Sequence, residues 1–478
     1  MMSKAKNLAE LRGSPWEKRA GRTVKQELRE NLISRLKNRA TIFPGIVGYD
    51  DSVVPQIINA VLSRHNFILL GLRGQAKTRI LRQLVDLLDE EIPIIAGSEI
   101  NDDPFKPISS EGKQIVTEAK EDTPIAWLPR EARYVEKLAT PDVTVADIIG
   151  DIDPIKAAKQ GIKLGDERSV HYGLLPRANR SIFAMNELPD LSGKVQVALF
   201  NIMQEGDVQI KGYPIRLALD VMLVFSANPE DYTARGKIIT PLKDRIGSEI
   251  RTHYPHSVTD SMAITAQEAW TRRDEMVRIP SYVAEIIDEV AFQAREDTRV
   301  DKHSGVSQRL PISLLENTLS SAEQRALRLG ERPIARVNDI YASLSSITGK
   351  IELEYEGELK GGEAIARDLV KRAVGQVFSR RAFEVNTDEI VRYFDSDANL
   401  KIPDDVHTAE LPKRMSAVPG LVQAAKRIAE GSEAGDIAVA AEFILEGLYA
   451  RKQIARSEEQ GYSAAEVDAE TVPRRRWN

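Results

Sequence analysis

A glycine-rich turn followed by a lysine and a threonine is the first group of residues that could do chemistry. The apolar run FILL ends at Gly71, and Gly74, Lys77 and Thr78 follow in that order before a helical pattern. Bare backbone N–H groups hold phosphate oxygens at such a turn, the lysine reaches the outer phosphates, and the hydroxyl binds Mg²⁺. Ala76 stands where the usual phosphate loop has glycine, and alanine, the smallest replacement, fits there if the local φ is negative. The alternative is an ordinary strand–turn–helix with a chance Lys-Thr pair.

An acidic residue after a second apolar run could activate a water molecule. Asn186 and Glu187 follow IFAM, and Glu187 is the candidate general base for nucleotide hydrolysis. Asn186 stands where an aspartate is expected to order the Mg²⁺ shell. Its amide can still hydrogen-bond a metal-bound water, but it brings no negative charge, which predicts weaker ordering of Mg²⁺. Asp190 is a weaker candidate for the missing acid, and the alternative is a plain strand end with an acidic turn.

A third polar group ends the apolar run VMLVF. Ser226, Ala227 and Asn228 follow it, and the Asn228 amide could lie between the two other motifs and orient the attacking water. Asn-Pro is also a plain turn. The prediction therefore depends on the order of the three motifs along the chain.

These candidates need strands that end at one edge of a sheet. Short apolar runs bounded by turns predict buried strands at NFILL, IPIIA, RSIFAMN and VMLVFSAN, with helical patterns between them. This alternation indicates an α/β fold with a mostly parallel sheet covered on both faces. Residues 206–219 alternate around a Lys-Gly-Tyr-Pro turn and predict a β-hairpin. Beyond about residue 257 the patterns are helical, and IAVAAEFILEGLYARKQIARSEEQ predicts an amphipathic helix.

Composition excludes several kinds of site. The 478 residues include no cysteine and six histidines without an HExxH pattern, which excludes disulfides and thiolate metal sites. The net charge of −6 does not favour nucleic acid as a partner, although residues 1–40 and the tail PRRRWN are basic. The alternative for these basic ends is a solvated helix and a frayed terminus. Without a long apolar stretch or a secretory signal, we expect a soluble cytoplasmic protein.

Together the motifs resemble those of the AAA+ ATPases, and more closely the branch of the magnesium-chelatase I subunits and MoxR-type ATPases. GLRGQAKT is similar to a loop of some MoxR-type members, and ADIIGDIDPIKAAKQG followed by HYGLLPRANRSIFAMNELPDL keeps the chelatase order. The resemblance covers roughly residues 40–350. It implies a three-layer AAA+ core with a parallel sheet over 41–256 and a helical lid over 257–356. A basic helical segment at 1–40 and a helical extension at 357–478 flank them.

The resemblance also implies roles for single residues. Arg245 in PLKDR would be the finger offered to ATP in a neighbouring subunit, with Arg235 in YTARGK as a competitor, and Arg309 in GVSQRL would be a second sensor. An arginine that acts in trans requires a closed ring, which the family implies is a hexamer. ATP and Mg²⁺ are the implied cofactors. The implied nucleotide-binding residues are Gly71, Gly74, Gln75, Ala76, Lys77, Thr78 and Arg309, the metal-binding residues are Thr78 and Asn186, and the catalytic residues are Glu187, Asn228 and Arg245.

Four functions stay open at this point. The first is a motor that remodels a partner protein, by family analogy one with a von Willebrand factor A domain. The second is the chelatase motor that drives Mg²⁺ into a porphyrin, although residues 357–478 exceed the compact chelatase I subunit. Asn186 keeps open a scaffold that binds nucleotide without hydrolysis. An activator of alternative-sigma-factor transcription is disfavoured, because no Gly-Ala-Phe-Thr-Gly-Ala string occurs.

Overall fold

The computed structural model describes residues 4–210, 213, 215–229, 237–273, 276–383, 385–403, 406–457 and 461–465. The chain divides into two compact units between His253 and Tyr254. None of the helices among the described residues is long and apolar enough to cross a bilayer. The four-part division of the chain made above stays a prediction.

Most of the strands lie in the first unit. They are β1 Phe67–Leu70, β2 Glu91–Ile95, β3 Ile125–Pro129, β4 Tyr134–Leu138, β5 Gly150–Ile152, β6 Val170–Tyr172, β7 Ser181–Asn186, β8 Asp207–Gln209, β9 Arg216–Ala218, β10 Val221–Ala227, β11 Ser248–Arg251, β12 Ile454–Ser457 and β13 Gly461–Ala464.

Five parallel strands form the central sheet of the first unit, in the order β11-β1-β10-β7-β4. The three inner strands β1, β10 and β7 are buried along their whole length. Such apolar strands are typical of a parallel sheet that is covered on both faces. The predicted α/β fold with a parallel sheet is therefore confirmed.

Several strands differ from the sequence prediction, among them β2 and the two edge strands of the central sheet. The run IPIIA lies in β2, which pairs antiparallel with β3 outside the central sheet. The edge strands β4 and β11 were not predicted, because YVEKL and SEIR carry charged residues and are only partly buried. An edge strand has one neighbour and tolerates such residues. The predicted hairpin is confirmed as the antiparallel pair β8 and β9, but residues 211, 212 and 214 of its turn lie outside the described residues.

The α-helices are more numerous than the strands and occupy both units. They are α1 Leu8–Arg12, α2 Val24–Lys37, α3 Val53–Leu62, α4 Lys77–Gln83, α5 Ser110–Ala119, α6 Val145–Ile148, α7 Pro154–Gln160, α8 Leu174–Arg177, α9 Gly193–Glu205, α10 Thr240–Arg245, α11 Val258–Glu268, α12 Ser281–Glu296, α13 Arg309–Leu329, α14 Val337–Tyr341, α15 Ser345–Thr348, α16 Tyr355–Lys360, α17 Gly362–Arg381, α18 Asp388–Asp395, α19 Leu411–Met415, α20 Leu421–Ile428 and α21 Ala434–Ala450.

Helices cover the central sheet on both faces. On one face α2, α3 and α4 share an apolar core with alternate residues of the inner strands, among them Ile80 of α4 and Ala184 of β7. On the other face α9 packs in the same way, and Leu199 lies in one core with Phe183. This arrangement follows from the period of two along a strand, which turns successive side chains to opposite faces.

The N-terminal helix α2 is part of the first core. Apolar residues stand at every fourth position from Val24, and Val24, Leu28 and Leu32 are buried while Leu36 is 39% exposed. Between them Glu27 forms a buried ion pair with Arg133, in which both guanidinium N–H₂ groups donate to the carboxylate at 2.7 and 2.6 Å. Apolar packing and this pair together fix α2 against the sheet.

The second unit is mainly helical and is built around α21. Every residue from Ala438 to Leu448 is buried, because α17, α19 and α20 pack around this helix. The prediction of an amphipathic helix over residues 437–460 was wrong in two respects. The helix is buried on all sides, and it ends at Ala450 before β12, which pairs with β13.

Candidate phosphate-binding site

The loop between β1 and α4 has the course of a phosphate loop. β1 ends at Leu70, and α4 begins at Lys77. Gly74 has φ +71° and Ala76 has φ +57°, so both lie in the left-handed region. The condition under which alanine fits without strain, a negative φ, is therefore not met at Ala76. A left-handed conformation costs a residue with a Cβ about 1–2 kcal/mol, which the surrounding loop must offset.

The loop is held by contacts to the end of β11 and to the segment before α3. The hydroxyl of Thr252 donates to Oε1 of the buried Gln75 at 2.6 Å. The Tyr49 hydroxyl lies between two backbone carbonyls to which it can donate its one proton, 2.7 Å from that of His253 and 3.1 Å from that of Gln75. A Cβ at Gly71 would lie 1.9 Å from Oγ1 of Thr252 and 2.2 Å from Oε1 of Gln75. Position 71 therefore requires glycine for steric reasons.

Lys77 and Asn228 meet at this loop. Nζ of Lys77 donates to Oδ1 of Asn228 at 2.9 Å, to the Leu72 carbonyl at 2.9 Å, and to the Gly71 carbonyl. Lys77 is 8% exposed. Thr78, the next residue of α4, is partly buried. The ammonium group of Lys77 is thus bound by two backbone oxygens of the loop and by the side-chain oxygen of Asn228, the residue that follows β10.

Asn186 lies on the neighbouring strand. It is the last residue of β7 and is 8% exposed. Its Oδ1 accepts a hydrogen bond from the Ser226 hydroxyl of β10 at 2.9 Å, and its Nδ2 donates to the carboxylate of Glu136 on β4. The amide is therefore fixed from both sides.

Glu187 directly follows β7 in a strained conformation. Its φ is +54° and its ψ is +47°. A non-glycine residue in this region costs on the order of 1–3 kcal/mol and occurs preferentially at functional sites. The turn continues as a 3₁₀ helix through Asp190, whose N–H donates to the Glu187 carbonyl at 3.0 Å.

The three motifs thus come from adjacent parallel strands. β1, β10 and β7 are neighbours in the sheet, and Gly71, Asn228 and Glu187 follow their C-terminal ends. In open α/β sheets ligands bind at this edge. The strand order therefore brings the phosphate loop, the acidic strand end and the third polar group to one edge of the sheet.

Relatives of known name share part of this sequence. The chain is 31% identical over 223 residues to the magnesium-chelatase subunit ChlI of Nostoc sp. (strain PCC 7120), covering 45% of this chain and 55% of that one. It is 30% identical over 229 residues to ChlI of Synechocystis sp. (strain PCC 6803), covering 46% and 60%. The chain is a relative of the magnesium-chelatase I subunits. This confirms the resemblance to that AAA+ branch.

The extent of the similarity is limited. The chain spans 55% and 60% of the length of these two relatives. No protein-family model matches the chain. A structure of the complex between BchI and BchD of magnesium chelatase is similar at a TM-score of 0.36 and 20% identity, covering 67% of this chain and 98% of that one. NtrX from Brucella abortus with ADP is similar at 0.38 and 13%, covering 76% and 72%. Neither likeness bears on function at these TM-scores.

In this relative of the chelatase I subunits the two candidate arginines lie in different units. Arg245 ends α10 in the first unit, with its side chain 41% exposed and paired with Asp244. Its guanidinium carbon lies 5.8 Å from the ring centroid of Phe200. Arg309 begins α13 in the second unit and is exposed. Their roles stay predictions, and Arg235 lies outside the described residues.

Two charged residues beside the site were missed by the sequence prediction. Glu136 accepts from Asn186, as described above, and its other oxygen accepts from Nε of Arg82 at 2.9 Å. The hydrogen bond to Glu136 raises the pKa of Arg82. The one signal in the sequence is a charged residue at the centre of YVEKL, and it is weak because edge strands commonly carry such residues.

The donor groups suit Mg²⁺ held largely by a ligand's phosphates. Among the residues that the structure describes, no three or more His, Asp or Glu side chains converge to form a metal cage. The hydroxyl of Thr78, the amide of Asn186 and the carboxylate of Glu187 are oxygen donors, which are the ligands Mg²⁺ prefers. Mg²⁺ usually keeps several waters and takes only one or two protein groups beside phosphates.

Proposed function

We propose that this chain binds ATP with Mg²⁺ and hydrolyses it as a subunit of a ring-forming AAA+ motor. The observation that supports this most is the 2.9 Å contact between Nζ of Lys77 and Oδ1 of Asn228. A lysine that holds the outer phosphates and an amide that orients water must lie close together, because the water attacks the phosphate that the lysine holds.

The loop would bind the phosphates through backbone N–H groups and Lys77. The lysine now donates to the carbonyls of Gly71 and Leu72. A phosphate oxygen carries negative charge and forms a stronger hydrogen bond with an ammonium than a neutral carbonyl does. Thr78 and Asn186 would hold Mg²⁺, directly or through its waters. Bound Mg²⁺ would neutralise charge on the β- and γ-phosphates.

Hydrolysis requires a base and a group that positions the water. Glu187 is the base in this proposal, and Asn228 orients the water beside Lys77. The fixed left-handed backbone at Glu187 presents its carboxylate directly after the strand. Arg245 would stabilise the charge that develops in ATP bound by the adjoining subunit, because it is exposed at the end of α10.

A closed head-to-tail ring is the assembly that this role for Arg245 requires. The family resemblance supports a hexamer of MoxR or chelatase type. In that case hydrolysis changes the angle between neighbours and remodels a partner protein, and by the same resemblance the partner carries a von Willebrand factor A domain.

The second candidate function is that of the ATPase subunit of a magnesium chelatase. The names of the relatives from Nostoc and Synechocystis favour it. Both candidate functions hydrolyse ATP by the same chemistry. They differ in the partner protein on which the motor acts.

ATP binding and turnover of three proteins test the proposed chemistry. Wild type should bind and hydrolyse ATP in the presence of Mg²⁺. Lys77→Ala should weaken ATP binding on the order of 100-fold. Glu187→Gln should bind ATP as wild type does and lose about 10²–10⁴-fold in turnover, since the amide cannot accept a proton.

Matched variants of exposed residues serve as controls. Lys113→Ala and Glu131→Gln make the same chemical changes at exposed positions away from the loop and from α10, and should leave binding and turnover within about twofold. Wild type that binds ATP without turnover at any protein concentration would support the scaffold function instead. Glu187→Gln with the turnover of wild type would exclude Glu187 as the base.

A reconstituted magnesium chelatase distinguishes the two candidates. This chain replaces the I subunit, and the absorbance of the Mg-porphyrin product is followed. Product formation that depends on Lys77 would establish the chelatase function. ATP turnover without product would favour remodelling of a different partner.

A further inference from the structure

The amide of Asn186 has an orientation that its two neighbours determine. The Ser226 hydroxyl donates to Oδ1 at 2.9 Å, and Nδ2 donates to Oε1 of Glu136. An ionised carboxylate only accepts hydrogen bonds, so it must face the NH₂ group and not the amide oxygen. A carboxylate therefore lies in direct contact with the residue that stands where aspartate is expected.

The strand register places Glu136 on the face of the sheet that carries the nucleotide site. Glu136 of β4 pairs with Ala184 of β7 in a parallel register. Paired residues of neighbouring strands share a face, and residues two apart on one strand share it too. Asn186 is two residues beyond Ala184, and Ala184 shares its apolar core with Ile80 of α4. The carboxylate is therefore on the side covered by the helix that begins with Lys77.

The helix itself contacts the same carboxylate. Arg82 lies four residues after Thr78 in α4, so the two residues are on one side of the helix. Nε of Arg82 donates to Oε2 of Glu136 at 2.9 Å, and the arginine side chain is 64% exposed while that of Glu136 is 21% exposed. An exposed arginine is solvated and screened, and it neutralises a partly buried carboxylate only weakly.

We propose that Glu136 supplies the negative charge that Asn186 lacks toward Mg²⁺, and this rests on the proposed function. An aspartate at position 186 would carry the charge itself. Here the amide keeps the position of that aspartate and the hydrogen bond that it would accept from Ser226, while the Nδ2 group, which an aspartate lacks, donates to the charged carboxylate of Glu136 on β4. Glu136 thus acts through Asn186 as a positioning and charge-bearing residue.

The experiment moves the charge from one residue to the other. A fluorescent ADP analogue is titrated with Mg²⁺, and the half-saturating Mg²⁺ concentration for binding is measured. Glu136→Gln should raise this concentration about tenfold, as loss of a residue behind a metal ligand commonly does. Glu136→Gln with Asn186→Asp should return this concentration to within about threefold of wild type. In the double variant the amide at position 136 donates to the carboxylate at position 186, so their hydrogen bond is kept with donor and acceptor exchanged, and Ser226 still donates to position 186.

A purely structural role for Glu136 predicts a different result. The amide oxygen introduced by Glu136→Gln can still accept from the Asn186 side chain, so this variant would then leave the half-saturating Mg²⁺ concentration unchanged, and that result overturns the proposal. An unchanged value in the double variant relative to Glu136→Gln overturns it as well. Melting temperatures in EDTA within about 2 °C of wild type show that the variants fold, and Glu131→Gln is the matched control.

The result also separates this proposal from the proposed function. If wild type binds no ADP analogue with Mg²⁺, the proposed function fails. If wild type binds with a clear Mg²⁺ dependence that Glu136→Gln does not shift, only the assignment of Glu136 fails.

Discussion

The ammonium of Lys77 lies 2.9 Å from the side-chain oxygen of Asn228, which is 151 positions further along the chain. The contact joins the first residue of α4 to the residue that follows β10. Parallel pairing of β1 with β10 makes this contact possible, because it brings the ends of both strands to one edge. A substitution at either residue should therefore change the hydrogen bonds of the other.

Replacement of the amide by a carboxylate tests this coupling. Asn228→Asp should lower ATP affinity by about tenfold or more, because a carboxylate holds the lysine by a charge-assisted bond and repels phosphate. Asn228→Ala should keep ATP affinity within about threefold and slow turnover. Equal affinity in Asn228→Asp and wild type, measured with a fluorescent ATP analogue, would contradict the coupling.

The left-handed backbone at Ala76 predicts opposite effects of a smaller and a larger side chain. Ala76→Gly should change the free energy of unfolding by between zero and about +1 kcal/mol, since relief of strain is partly offset by the greater freedom of glycine in the unfolded chain. Ala76→Val should destabilise by more than about 1 kcal/mol, because a β-branched residue fits this region poorly. Denaturant unfolding measures both values, and the prediction fails if valine is tolerated as well as glycine.

A methyl group at Gly71 has no room. Gly71→Ala should destabilise the chain by about 1–3 kcal/mol, because the new carbon must displace the buried hydroxyl of Thr252 and the amide of Gln75. ATP affinity should fall with it, since these contacts fix the loop. Gly193→Ala is the matched control, as a Cβ there meets nothing within 4 Å. Similar melting temperatures of the two variants would refute the steric argument.

Arg245 allows a test of catalysis between subunits. Arg245→Ala should bind ATP as wild type does and lose about 10³-fold or more in turnover. When it is mixed with Glu187→Gln, which is also inactive alone, turnover should reappear, because a joint that pairs the site of an Arg245→Ala subunit with a Glu187→Gln neighbour contains both Glu187 and the arginine. No turnover in this mixture would indicate that the arginine acts within its own chain or not at all.

The stability of the second unit should depend on pH through Asp288. Burial raises the pKa of this carboxyl to about 6, although Ser261 and Thr265 donate to it. Because the folded state holds the proton more tightly than the unfolded state, the contribution to stability is complete below about pH 4. It decreases as pH rises toward 6.

Asp288→Asn removes this titration and keeps an oxygen that can accept both hydroxyls. The free energy of unfolding of Asp288→Asn minus that of wild type should rise by about 2–3 kcal/mol between pH 4 and pH 7. Denaturant titrations of the full chain at both pH values measure this difference.

The inner strands could be predicted from sequence, whereas the edge strands could not. β1, β7 and β10 are buried throughout because helices cover them on both sides, and their apolar runs are visible in a single sequence. β4 and β11 are polar and short, and pairing with one neighbour defines them. The place of IPIIA in a separate antiparallel pair depends on β3, a strand that was not predicted although its sequence IAWLP is also apolar.

The candidate site was predictable to the same degree. Lys77 and Asn228 follow predicted strands, so their convergence could be expected from the parallel topology. Glu136 could not be found, because its contact with Asn186 depends on a strand that the pattern does not reveal. The left-handed conformation of Ala76 could not be predicted from its residue type. It results from a loop whose course is set by the contacts of Gln75 and Tyr49.

The buried pair of Glu27 and Arg133 has a consequence for the basic amino-terminal segment. Their side chains are 4% and 0% exposed, and leaving one such charge without its partner costs about 3–5 kcal/mol. Undocking of α2 would leave the guanidinium of Arg133 in that state. The helix therefore stays packed against the sheet. Its lysines and arginines are not part of a flexible segment that could reach a distant polyanion.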